Sequence, residues 1–271
     1  MAPLLKVKDA LPEVFSRANP VLDPKMPMLP AVSMLRFSQI DCLLVLEGGK
    51  VPRAIHGYSI LTRLLRMPPD EFWPFLERHC EDASQPVARV SADDDLATLL
   101  DTFDRERFGF AWVSYGESEG VAVSLADVLE LYSRGTIQSD LQVRDVGSPI
   151  FSLPGMTPLR QALLFMFSHR LRRVFVAGGN AFVSDRGIVS HVFSPATLRS
   201  MAGESADVLA MPIAEIQKRL PKRVPGRTSL QAAAHALEGD VGQCLVSRGA
   251  VVTPWDLVMK PWNSKALRIA E

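Results

Sequence analysis

Two short stretches place a carboxylate three residues after a hydroxyl: Thr253-Pro254-Trp255-Asp256 and Ser124-Leu125-Ala126-Asp127. Each follows an apolar run that reads as a strand and precedes an apolar helical pattern. The hydroxyl then stands where a helix N-cap is expected, and Pro254 suits the first helical position. The free N–H groups of such a helix start, together with the hydroxyl, can hold a phosphate oxygen. An ionised Asp on the same turn has two acceptor oxygens and no donor, so it can accept from both hydroxyls of a ribose. The same spacing is also close to a capping box, which needs no ligand.

Cations suited to a phosphate stand in two places. His169, Arg170, Arg172 and Arg173 precede an apolar strand, RVFV, and Arg223 and Arg227 flank an extended stretch that includes Val224. Guanidinium groups make bidentate phosphate contacts. The other reading for each is a solvated basic helix end near favourable carbonyls. Arg105 and Arg107 occupy a similar place before the strand FAWVSY. Trp255 reads as packing. His56, His79, His191 and His235 show no metal-ligand spacing.

The elements that position these residues recur. The pattern of apolar strand, small or hydroxyl residue and helix-opening position ends at Arg63, Asp127, Phe193 and Asp256, in steps of 127 − 63 = 64, 193 − 127 = 66 and 256 − 193 = 63 residues. A fixed period of this size means a tandem repeat. Each copy reads as a lead-in segment, an extended stretch, a first helix, two strands joined by a turn, and a second helix. The first helices are PMLPAVSMLRF, DDLATLLDTF, TPLRQALLFMF and TSLQAAAHAL, with Asp95, Thr157 and Thr228 at the expected N-caps. A strand-helix-strand-strand-helix unit has a small sheet with helices on one face, so two units must pair to cover the other. The boundaries fall at 1–68, 69–136, 137–203 and 204–271, with repeats one and two forming one module and three and four the second. The segment 136–143 is the most polar connection between modules.

Bulk properties exclude other classes. At 271 residues and 47 % hydrophobic, the chain can bury a large core. Lys+Arg and Asp+Glu are both 30, which gives no footprint for nucleic acid or an acidic membrane. Cys42, Cys80 and Cys244 lack CxxC spacing and read as small buried hydrophobes. The N-terminus has no long apolar stretch, and apolar runs such as 162–167 are too short to span a bilayer. A cytoplasmic protein is expected. No nucleophile–His–Asp grouping, GxxxxGK[ST] or paired metal ligands appear, so no catalysis is expected.

The repeat length, the order of its elements and the terminal signature G-hydrophobic-hydrophobic-(T/S)-x-x-D make the chain resemble the CBS-domain family, named after cystathionine beta-synthase. Val251-Val252-Thr253-Pro254-Trp255-Asp256 and Val121-Ala122-Val123-Ser124-Leu125-Ala126-Asp127 carry the signature best. Repeat three keeps Gly187-Ile188-Val189-Ser190 but has Phe193 for Asp, and repeat one has Gly57, Ile60 and Arg63. Four-repeat members include the gamma subunit of AMP-activated protein kinase. The resemblance implies four α/β repeats paired into two modules that form a flat disc. It also implies a regulatory ligand of the adenosyl type (AMP, ADP, ATP or S-adenosylmethionine), bound between paired repeats.

In the family the signature Asp binds the ribose, which assigns that role to Asp127 with Ser124 and to Asp256 with Thr253. Arg173, Arg223 and Val224 complete the expected site. Arg63 and Phe193 cannot accept from a diol, so at most two ligands per chain are expected. Asp256→Ala is expected to cost on the order of 1 kcal/mol as the loss of a cap. Output would pass through a separate protein partner or through self-association, the chain itself being a monomer or weak homodimer. The rival reading is an interaction scaffold with ligand-free clefts.

Overall fold

The computed structural model describes residues 5–16, 21–37, 42–46, 52–116, 119–203, 207–240 and 242–269. Gly48, Gly49 and positions 1–4 lie outside these residues. Four times the chain runs strand, helix, strand, strand, helix. In repeat two these are Arg89–Ser91, Leu96–Glu106, Phe110–Ser114, Gly120–Ser124 and Leu125–Ser133. In repeat four they are Lys222–Arg223, Leu230–Leu237, Leu245–Ser247, Ala250–Val252 and Pro254–Asn263. The first strand lies parallel to the second and the second antiparallel to the third in every repeat. The helical crossover permits the parallel pair. Leu96, Leu99, Leu100 and Phe103, spaced three and four apart, put one helix face wholly inside.

Sheet faces alternate with period two. In repeat one, Leu43, Val45 and Ile55 lie under the helices, while Cys42, Leu44 and Ala54 face the other way. Phe110, Trp112 and Ala122 of repeat two close over that second face. Phe175 and Phe182 of repeat three meet Cys244 and Val251 of repeat four in the same manner. The paired modules of the expected fold are therefore present. They stack through their helices, Gly57–Arg66 of repeat one on Asp185–Val192 of repeat three, and Leu125–Ser133 of repeat two on both helices of repeat four. The result is the flat disc of four repeats.

The lead-in segments cross to the partner repeat, which the periodicity does not show. The first N–H of the helix Leu96–Glu106 donates to Leu5 O at 2.9 Å, and that of Leu159–Ser168 to Met211 O at 2.8 Å. Met28 N–H, in repeat one, donates to Arg78 O at 2.9 Å. These bonds satisfy orphan donors of the helix starts. They also explain why Asp95 needs no side-chain cap bond and why the cap expected at Thr157 is displaced. Asp95 is the N-cap but makes no side-chain cap bond, and Pro158 and Ser229 hold the positions expected for Thr157 and Thr228. Gln85–Pro86 and Ser148–Pro149 add a fourth strand to the sheets of repeats one and four. Within the polar segment 136–143, Ile137–Ser139 pairs antiparallel with Leu267–Ile269.

The motif register differs from expectation in repeats one and three. The third strands end at His56 and Ser184, and helices begin at Gly57 and Asp185. Ile188, Val189 and Ser190 are thus helical, and Phe193 is the buried residue that ends the helix. The β-branched run GIV looks like a strand, but Ile188 and Val192, four apart, pack a helix face, and Ser184 Oγ accepts from Gly187 N at 3.1 Å. The signature carboxylate is replaced by Ser59 and Gly187, not by Arg63 and Phe193. The true caps, His56, Ser124, Ser184 and Thr253, are spaced 124 − 56 = 68, 184 − 124 = 60 and 253 − 184 = 69 residues. This register is tested by comparing Ser184→Ala with Ser190→Ala in urea denaturation. Ser184→Ala loses about 1 kcal/mol and Ser190→Ala much less; equal losses would contradict the register.

Candidate functional site

Two helix starts carry the signature carboxylates. In repeat two, Asp127 is 2 % exposed, and its Oδ2 accepts from Ser124 N at 2.6 Å and Ser124 Oγ at 2.9 Å. In repeat four, Asp256 is 5 % exposed, and its Oδ2 accepts from Thr253 N at 2.9 Å and Thr253 Oγ1 at 2.7 Å. Asp256 N–H donates back to Thr253 Oγ1 at 3.3 Å. Both pairs are capping boxes, so one oxygen of each carboxylate serves the helix start whether or not a ligand is present.

The second oxygen of Asp256 has partners that local sequence did not suggest. Oδ1 accepts from Ser148 Oγ at 2.7 Å and pairs with Lys260 Nζ at 3.1 Å. Lys260 Nζ also donates to Val146 O at 2.8 Å, Gly147 O at 3.0 Å and Ser148 Oγ at 2.8 Å. Lys260 sits one helical turn after Asp256, a spacing the sequence does display. Ser148 comes from the fourth strand added to the sheet, 108 residues away in the chain, and no sequence signal marks it.

The cations divide. Arg173 begins the second strand of repeat three, reaches across to donate to Gln243 O at 2.9 Å, and lies over the Phe182 ring, 5.8 Å from its centroid. It thereby lies in the interface of repeats three and four, beside Cys244. Burial pushes the Cys244 thiol up; Arg173 and Arg219 act against this, and Asp256 adds to the rise. Gln243 and Cys244 immediately precede Leu245, which pairs with Val252 just before the Thr253 cap, so Arg173 and the Asp256 helix start lie in one region. Arg219, which the sequence reading missed, exchanges backbone bonds with Phe182 and pairs with Asp240. Arg223 is exposed on the edge strand, level with Val246, and Val224 packs partly on the helical side. Arg172 pairs with the buried Asp185 at 2.7 Å, in a repeat-one to repeat-three junction that also holds Arg36 and Arg186. His169 Nδ1 lies 2.9 Å from Phe165 O, within its own helix end. Arg107 pairs with Asp104 at 2.7 Å and lies 6.0 Å from the Trp255 ring centroid, and Trp255 itself packs on the core as expected.

Repeats one and two fill the matching region with rings. Phe110, opposite Ser124 in the strand pair, holds the place that Arg173 holds opposite Ser184. The His56 ring lies 4.9 Å from Phe108 and 5.3 Å from Phe110. Cys42, Cys80 and Cys244 form no disulfide and are buried, as expected, and burial pushes the Cys80 thiol up to about 11. Among the described residues no helix is long and apolar enough to cross a membrane.

Similarity to solved structures appears at the level of fold. Protein MJ1225 of Methanocaldococcus jannaschii, described as an archaeal homologue of g-AMPK, superposes with a TM-score of 0.79 at 15 % identity, covering 94 % of this chain and 99 % of its own. A conserved protein from Pyrococcus horikoshii covers 83 % of this chain and 92 % of its own, with a TM-score of 0.51 at 12 % identity. The CBS-domain containing protein ATU1752 of Agrobacterium tumefaciens matches 48 % of this chain and 96 % of its own, at 16 % identity and a TM-score of 0.40. No family model and no curated protein matches the sequence. The chain has the CBS fold, as four tandem repeats.

The Asp256 network makes a stability prediction that exceeds the cap alone. Asp256→Ala removes the acceptor of Ser148 Oγ and Lys260 as well as the Thr253 cap bond. Urea denaturation of the ligand-free protein is expected to show a loss of about 2 kcal/mol. A loss as small as that expected of a simple cap would mean that the Ser148 and Lys260 contacts contribute nothing.

Proposed function

We propose that this protein is a non-catalytic sensor that binds an adenosyl ligand between repeats three and four. The observation that carries the reading is the difference between the two modules. Repeat three places a guanidinium, Arg173 opposite its cap Ser184, in the region of the Asp256 helix start of repeat four, whereas the matching position of repeat one, opposite its cap His56, holds Cys42. Thr253 and Asp256 would hold the ribose, Arg173 would meet phosphate oxygens, and Arg223 with Val224 would line the edge strand. AMP, ADP, ATP and S-adenosylmethionine share the ribose that this helix start suits. Ser124 and Asp127 form a second candidate position, so at most two ligands bind per chain. The four units would be 1–68, 69–136, 137–203 and 204–271, each module contributing one ligand position.

The sensor would act in the cytoplasm, as a monomer or weak homodimer, on a separate protein partner. A specific observation also favours the scaffold reading: both signature carboxylates already serve as helix caps. Calorimetric titration separates the two. AMP, ADP, ATP or S-adenosylmethionine is expected to bind with one or two sites per chain, and Arg173→Ala to weaken binding at least tenfold. Ligand at ten times its dissociation constant raises stability by about 1.4 kcal/mol through mass action. Absence of heat with all four compounds would replace the sensor with the scaffold.

A further inference from the structure

Three of the acceptor sites of Asp256 are already in use. An ionised carboxylate offers about four lone-pair sites. Thr253 N–H and Thr253 Oγ1 take two on Oδ2 and Ser148 Oγ takes one on Oδ1, while the Lys260 ammonium stands 3.1 Å from Oδ1 as an ion pair with its three protons directed to Val146 O, Gly147 O and Ser148 Oγ. The direction of the Ser148 bond is set by its neighbour. Lys260 is donor only and gives a proton to Ser148 Oγ at 2.8 Å, so the Ser148 hydroxyl proton points to Asp256. A ribose diol brings two more donors and meets one free site, so both hydroxyls can be accepted only if an internal donor gives way.

We infer that Ser148 is an internal stand-in for a ribose hydroxyl, and that it holds the repeat-four site closed until ligand displaces it. This rests on the sensor reading above and names the regulation of that same site. Oδ2 cannot be surrendered without uncapping the helix Pro254–Asn263, so Oδ1 is the oxygen a ligand must win. Ser148 is the contact able to yield. It sits on a two-residue edge strand, Ser148–Pro149, that pairs with Ala250–Val252 on one side only. The strand follows directly from the helix Val143–Val146, whose terminal carbonyl, with that of Gly147, is held by the same Lys260. The segment is pressed close: a Cβ on Gly147 would come 2.7 Å from Ala250 Cβ. Displacing Ser148 therefore shifts the edge strand Ser148–Pro149, while Lys260 keeps hold of the Val146 and Gly147 carbonyls behind it, and converts occupancy into a local movement at the end of the repeat-three lead-in.

The test is a calorimetric titration of AMP into wild type, Ser148→Ala and Ser148→Thr, with thermal melts to confirm that each variant folds. Ser148→Ala frees one acceptor site of Oδ1 and is expected to bind AMP at least tenfold tighter than wild type. Ser148→Thr keeps the hydroxyl and is expected to stay within about threefold of wild type. Equal affinity in wild type and Ser148→Ala overturns the closure while leaving nucleotide binding intact. Weaker binding by Ser148→Ala also overturns it, by making Ser148 a ligand contact. No AMP binding even by Ser148→Ala, in which the carboxylate is freed, overturns the closure and the nucleotide site together.

Discussion

Cys42, Leu44 and Ala54 point away from the helices of their own repeat, and nothing covers them until Phe110, Trp112 and Ala122 of the neighbouring repeat arrive. Each small sheet is apolar on both faces and each repeat owns helices for one face only. Burial of the second face at roughly 25 cal/mol per Å² makes an isolated repeat unprofitable to leave exposed in water. The exchanged lead-ins reinforce the same dependence through hydrogen bonds. A helix start in repeat two is completed by Leu5, and one in repeat three by Met211. Pairing is therefore a condition of each repeat's local structure as well as of its core.

That constraint shapes what the paired interfaces can offer a ligand. Both modules need side chains between their sheets, but the requirement is for volume, not for a given chemistry. Repeats one and two meet it with His56, Phe108, Phe110 and Trp112, whose rings pack closely. Repeats three and four meet it with Phe175 and Phe182, and with Arg173 lying over a ring with its donor turned to Gln243 O. The stem of an arginine can pack like an apolar group while its head keeps hydrogen-bonding capacity. One module thereby has a guanidinium at the position where the second has Cys42.

The lysine at 260 ties this interior to the rest of the chain. Its ammonium gathers carbonyls from the end of the repeat-three lead-in, a hydroxyl from the added edge strand and the carboxylate of the repeat-four helix start. Three separate elements meet at one cation. A change at any of them is felt by the other two, since one ammonium serves three hydrogen bonds and an ion pair at once.

The repeat architecture and the order of its elements were legible in the sequence because period-two strands and helices with apolar positions three and four apart leave a local imprint. The helix starts at Ser124 and Thr253 were legible for the same reason: cap and carboxylate lie within one turn. Repeats one and three were misread because the buried helix of repeat three, rich in Ile and Val, resembles a strand when only neighbours along the chain are considered. The cap expected at Thr157 was misplaced because the first helix N–H in repeat three bonds to a carbonyl of the partner repeat, and that expected at Thr228 because the next residue, Ser229, accepts from Ala232 N. What the sequence by itself determined was which residues alternate, cap and carry charge. Which repeats face each other, and that Ser148 closes on Asp256 from 108 positions away, was decided only by tertiary structure. Those contacts arise from covering second sheet faces and satisfying helix ends, and such requirements select a partner by fit across space rather than by spacing along the chain.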